Sequence, residues 1–170
     1  MKTIYKLIGS AMVLIVLTTG VNAQSTATAS TTAVLVVPIS IAKTTDMHFG
    51  TVAASGTTGT VVLDYADGRT ATGGASLPSG STLQKTAVFT VTGEGTSGFS
   101  ISIPSAPITL TGSVSGSMTV SSFLDDLGAS STLVAGSKTI LVKATLNVGV
   151  GQVAGTYTNA SGLFVTVNYN

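Results

Sequence analysis

His48 is the only histidine in the 170 residues, and cysteine is absent. Those two facts remove most of the catalytic repertoire. With no thiol there is neither a thiolate nucleophile nor a thiolate metal site. A Ser-His-Asp arrangement would have to use His48 as its base. That residue sits in Asp46-Met47-His48-Phe49-Gly50, a strand end or turn with no second ligand beside it, and reads as a structural side chain. Asp64 and Asp67 flank Tyr65-Ala66 just before Gly68. Two acids are too few for a calcium loop, whereas Asp-Gly at a strand end is ordinary turn chemistry, so a turn-capping role is expected. Asp125-Asp126 would cap or solvate the loop holding Phe123 and Leu124. Nothing pairs these scattered acids as a glycosidase would need. Gly93-Glu94-Gly95 is no phosphate loop, because no helical pattern follows it. The residues predict no catalytic group, no cofactor and no metal site.

The chain begins with the layout of an export signal. Lys2 and Lys6 precede an apolar run from Leu7 to Leu17, and Val21-Asn22-Ala23 puts small residues at −3 and −1 of a cleavage site. The run is too short to span a bilayer. Cleavage would leave a chain starting at Gln24, exported to the periplasm, the cell surface or the medium. Its charges would be Lys43, Arg69, Lys85, Lys138 and Lys143 against Asp46, Asp64, Asp67, Glu94, Asp125 and Asp126, a net charge near −1. No basic patch exists to hold a phosphate backbone, so nucleic acid is not expected as a partner. An exported chain without cysteine must be held by its core or its partners alone.

The elements that would carry these residues alternate with period two. Ala33, Leu35, Val37, Ile39 and Ile41 share one face of a first strand, with Val34 and Val36 opposite and Pro38 marking an edge or a bulge. Val61, Leu63 and Tyr65 alternate before Asp67-Gly68. Ala87, Phe89 and Val91, then Phe99, Ile101 and Ile103, predict a hairpin around the glycine-rich loop. Ile108, Leu110, Met118 and Val120 continue in short strands, and Ile140 to Val148 alternates throughout. Tyr157, Leu163, Val165, Val167 and Tyr169 share parity in the last strand. Residues 53–59 and 73–81 read as flexible loops, and Ser122 to Gly128 as the one candidate helical turn. Lys43, Lys138 and Lys143 would guard exposed edges. The pattern predicts an all-β chain: a single immunoglobulin-like β-sandwich of about eight strands over 33–170, after a polar extension at 24–32.

The blocks Asp46-Met47-His48-Phe49-Gly50-Thr51-Val52, Gly59-Thr60-Val61-Val62-Leu63, Gly68-Arg69-Thr70, Ala87 to Gly93, Phe99 to Pro104, Ala154-Gly155-Thr156-Tyr157-Thr158 and Val165-Thr166-Val167-Asn168-Tyr169 follow one another in order. In that order they resemble the DUF4402 family of exported bacterial proteins, whose name carries no activity. A more distant resemblance, carried by Phe49-Gly50 and by the closing strand with Tyr169 next to last, is to spore coat U and chaperone–usher pilin subunits. That resemblance implies a pilin-like sandwich whose final strand is read by a periplasmic chaperone and whose neighbouring subunits join by exchanging an N-terminal strand. The chain departs from it in lacking the coat-U disulfide. It also lacks large alternating residues in 24–32, so a donor register would have to run into Leu35 and Val37.

Two functions follow as expectations. The first is a non-enzymatic structural or adhesive surface subunit, fimbrial in style, that forms homo-oligomers through backbone pairing. It would use Leu163, Val165, Val167 and Tyr169 as the interaction strand. The second is a monomeric secreted module that binds a glycan or another small surface ligand.

Overall fold

The computed structural model describes residues 24–160 and 162–170. The leader read from Met1 to Ala23 lies outside them. The chain divides into two compact units, Met1–Val34 and Leu35–Asn170. In the first, the described residues 24–34 form no strand and are exposed. The strands of the described residues all belong to the second, and no described residue is helical. Eleven strand elements occur among the described residues where about eight were expected, because several are only two to four residues long.

The spine is β9 (Ser137–Val148), in which Ile140, Val142, Ala144, Leu146 and Val148 are buried at every second position. Such alternation is what a strand with one face on a core requires. Along one edge, its first half pairs with β4 (Ala87–Thr92) and its second half with β2 (Ala53–Leu63), both antiparallel. The opposite edge pairs with β7 (Ser117–Asp125). From this spine the sheet continues through β4 to β1 (Ser40–Thr45), through β2 to β3 (Arg69–Ser76), and through β7 to β6 (Ile108–Gly112) and β10 (Tyr157–Thr158). A second sheet has β5 (Gly98–Ser102) between β8 (Ser130–Thr132) and β11 (Thr166–Tyr169). One hydrophobic cluster joins the two sheets: Phe99, Leu133 and Val167 pack with Val61, Leu63, Phe89, Val91, Ile140 and Val142. Burying each such side chain contributes about 1.5–3 kcal/mol, which is how a chain with no disulfide closes a sandwich.

Six expectations are corrected. The first strand begins at Ser40, not Ala33, because Pro38 lacks the N–H a ladder needs and no strand lies beside the preceding residues. The hairpin expected from Ala87 to Ile103 does not form. Gly93 N donates to Gly136 O at 3.0 Å and Gly136 N to Gly95 O at 2.7 Å, and the loop carries the chain from one sheet to the other. Residues 53–59 and 73–76 are strand, not loop. Their glycines serve close approach: a Cβ on Gly74 would overlap the carbonyl oxygen of Thr57. Ser122 to Gly128 holds no helix. Ser122 has φ 55° at a shift of register between Ser121 and Leu124, and this bulge buries both Val120 and Phe123, three residues apart. The expected last strand is two, β10 in the large sheet and β11 in the small one. Of the three lysines, only Lys43 stands on an edge strand; Lys138 and Lys143 are on the central β9.

Candidate functional site

Chemistry-bearing side chains gather at one end of the sandwich, and their hydrogen bonds go to the backbone. Asp64 Oδ1 accepts from Ala66 N at 2.8 Å and Gly68 N at 2.7 Å, closing the turn between β2 and β3. Asp67, at φ 62°, accepts from Thr86 N at 2.7 Å and pairs with Lys85 at 2.7 Å. The Lys85 hydrogen bond, with the Thr86 amide second, holds the Asp67 carboxyl below its ordinary range. His48 pairs through its backbone with Lys85, and its Nδ1 accepts from Gly50 N at 2.8 Å. Arg69 reaches the carbonyls of Phe49 and Thr51, at 2.6 and 2.9 Å. Asp125 and Asp126 likewise cap amides, of Leu127 and Leu141. The Tyr65 hydroxyl donates to Asp125 O at 2.6 Å, and burial, then the Asp125 and Asp126 charges, push its pKa up. These groups fasten loops; among the described residues no three of His, Asp and Glu gather.

The other feature is the run before Pro38. Val34, Leu35, Val36 and Val37 carry no strand pairing and are 83%, 101%, 53% and 54% exposed. Scattered exposed apolar residues need no explanation, but four in succession do. The C-terminal side of this run is held in place. Tyr169 Oη donates to Val37 O at 2.7 Å and accepts from Glu94 N at 2.6 Å, while Val37 N donates to Glu94 Oε2 at 3.0 Å. One hydroxyl on the last strand and one carboxylate on the β4–β5 loop therefore clamp both backbone groups of Val37.

The residues expected to form the interaction strand lie close together but face inward. Val167 is buried, and Leu163, Val165 and Tyr169 are half-buried against the core. Leu163 and Val165 precede the paired part of β11, whose ladder with β5 begins at Thr166. The outward parity belongs to Phe164, Thr166 and Asn168, with Phe164 60% exposed. β11 pairs with β5 on one side and ends its sheet on the other. Val37 was expected in the first strand, but neither Glu94 nor Val37 was expected to be a partner of Tyr169. The run Val34–Val37 directly before a proline was the signal for the latter; nothing in Gly93-Glu94-Gly95 points to the former.

A family model described as a domain of unknown function, DUF4402, matches residues 39–169. Comparison with curated proteins and with solved structures finds no match.

Proposed function

Since the chain belongs to the DUF4402 family, whose description carries no activity, we propose on physical grounds that it is a non-enzymatic, exported surface subunit, structural or adhesive, that assembles through backbone strand pairing. The observation that carries this reading is the exposed apolar run Val34–Val37, which has no ladder partner. Strand addition needs such a segment, with backbone groups to pair and alternate side chains to seat. It also needs a receiving edge. Among the edge strands, β8 and β10 have only three and two residues, too short to template much, and β3, which pairs only with β2, does so across a shift of register and begins with the charged Arg69. β1 carries Lys43 as a charged guard. β11, which ends the smaller sheet beside Leu163 and Val165, is the edge we assign to a neighbouring subunit or to an export chaperone.

Leu35 is fully exposed, so Leu35→Asp cannot disturb the core and isolates assembly from folding. Size-exclusion chromatography with light scattering on the purified protein should give concentration-dependent oligomers. The variant Leu35→Asp with Val36→Asp should be monomeric, with an unchanged melting temperature. A parent protein that stays monomeric at every concentration and after incubation with a periplasmic extract sinks the assembly reading. Fractionation of the producing cell tests export separately: retention in the cytoplasm overturns that half.

A further inference from the structure

On the outer face of the large sheet the cross-strand register lines up Thr72, Thr60, Asn147, Thr119 and Thr109 on five adjacent strands, β3, β2, β9, β7 and β6. Neighbouring strands lie about 4.8 Å apart, so this row runs for roughly 19 Å. Four of these five residues, all but Thr109, line an open groove of about 530 Å³. Small-molecule sites are typically clefts of about 300–1,000 Å³. Gly73 and Gly149 border the groove without side chains.

We propose that this groove binds a neutral oligosaccharide. Charge decides against most other ligands. No Lys, Arg, His, Asp or Glu lines the groove, so an anion or a cation would lose hydration and meet no counter-charge. The polar groups present both donate and accept. Thr60 and Thr72 share one hydrogen bond between their hydroxyls, at 2.7 Å, and a hydroxyl pair so joined retains one proton and several lone pairs for a ligand. Asn147 Nδ2 donates to Thr119 O at 3.2 Å, Thr119 Oγ1 at 3.3 Å and Ser121 Oγ at 2.9 Å. Those bonds fix the amide plane and leave Oδ1 as a positioned acceptor. A row of hydroxyls and one amide, spaced by the sheet itself, matches a chain that presents a hydroxyl on every ring. A peptide strand is a poor occupant, because the backbone groups beneath the groove are already used in the ladders between β2, β9 and β7. This inference does not rest on the assembly reading, since it uses a sheet face and not an edge.

The test is amide chemical-shift mapping of the purified protein with four neutral hexasaccharides: β-1,4-linked glucose, α-1,4-linked glucose, β-1,4-linked N-acetylglucosamine and α-linked mannose. Sulfated heparin hexasaccharide serves as the charged comparison. At least one neutral chain should shift Thr60, Thr72, Thr119 and Asn147 together at millimolar concentration or below. Thr72→Arg, at an exposed position, should weaken that binding by about tenfold or more with the melting temperature unchanged. The isosteric pair Thr60→Val with Thr72→Val should do the same by removing hydroxyls without adding bulk. No shift with any neutral chain, shifts centred elsewhere, a preference for heparin, or full binding by both variants each overturns the proposal. So does a change in oligomeric state in Thr72→Arg, which would make a second copy the occupant.

Discussion

Replacing Tyr169 by Phe removes one oxygen and leaves the ring against the core, so its effect isolates the clamp. That oxygen accepts from Glu94 N at 2.6 Å and donates to Val37 O at 2.7 Å. The two losses differ in size. Val37 O is exposed and gains a water in exchange, so its loss costs a few tenths of a kcal/mol. Glu94 N is half-buried and loses a short partner, which costs about 1–2 kcal/mol if water does not reach it. A sum near 1–2.5 kcal/mol corresponds to a fall in Tm of roughly 4–10 °C, at about 4 °C per kcal/mol for a domain of this size. Circular dichroism would read that fall. Hydrogen exchange adds the local readout: Val37 N, held by Glu94 Oε2 at 3.0 Å, should exchange faster than the β9 amides by a larger factor than global stability explains. Gly93→Ala checks the geometry independently, because a Cβ there would run into the Tyr169 hydroxyl. If both substitutions act through one contact, the double variant should cost clearly less than the sum of the singles. An unchanged Tm for Tyr169→Phe, with unchanged exchange at Val37, would refute the clamp.

Asp67, whose carboxyl is held low by Lys85 and Thr86, stabilises the fold above the unfolded carboxylate range. That contribution disappears as pH falls below about 4 through the folded pKa. Asp67→Asn keeps the tolerance for φ 62°, and should show a smaller drop in Tm between neutral pH and pH 3 than the parent; an equal drop would place the acid sensitivity elsewhere. Gly74→Ala should destabilise by about 1–3 kcal/mol in denaturant unfolding, since its Cβ meets the backbone of Thr57. In a flexible loop the same change would be neutral or mildly stabilising.

The difference between those last two outcomes explains where the sequence was misleading. Glycine, serine and threonine at 53–59 and 73–76 have the composition of a loop, but they form a bulged hairpin in which glycines let two backbones approach. Composition reports what a residue permits, and only the partner strand reveals that close approach was needed. The same holds at Ser122, where a bulge spaced Val120 and Phe123 like a helical turn. By contrast, β9, β4 and the inner residues of β2 were legible, because alternation with one buried face leaves a period of two that no other element produces. Pairing was not legible: the likeness of Ala87–Val91 and Phe99–Ile103 suggested a hairpin, yet the two strands lie in different sheets.

The candidate site divides along the same line. Leu163, Val165, Val167 and Tyr169 were recognised as one face of the last strand, and they do share a side, but that side is the core. Alternation identifies which residues face together without saying whether a partner or the chain's own interior covers them. The double substitution Val165→Asp with Val167→Asp therefore cannot test assembly, since it would bury a carboxylate at a position only 8% exposed and unfold the sandwich first. A surface for a partner has to be sought where apolar residues stay exposed after the core is closed. By that criterion the run from Val34 to Val37 is the stronger candidate, and on the proposed reading the packing of Val167 and Tyr169 against the core would hold the β11 edge in shape before a strand was added to it.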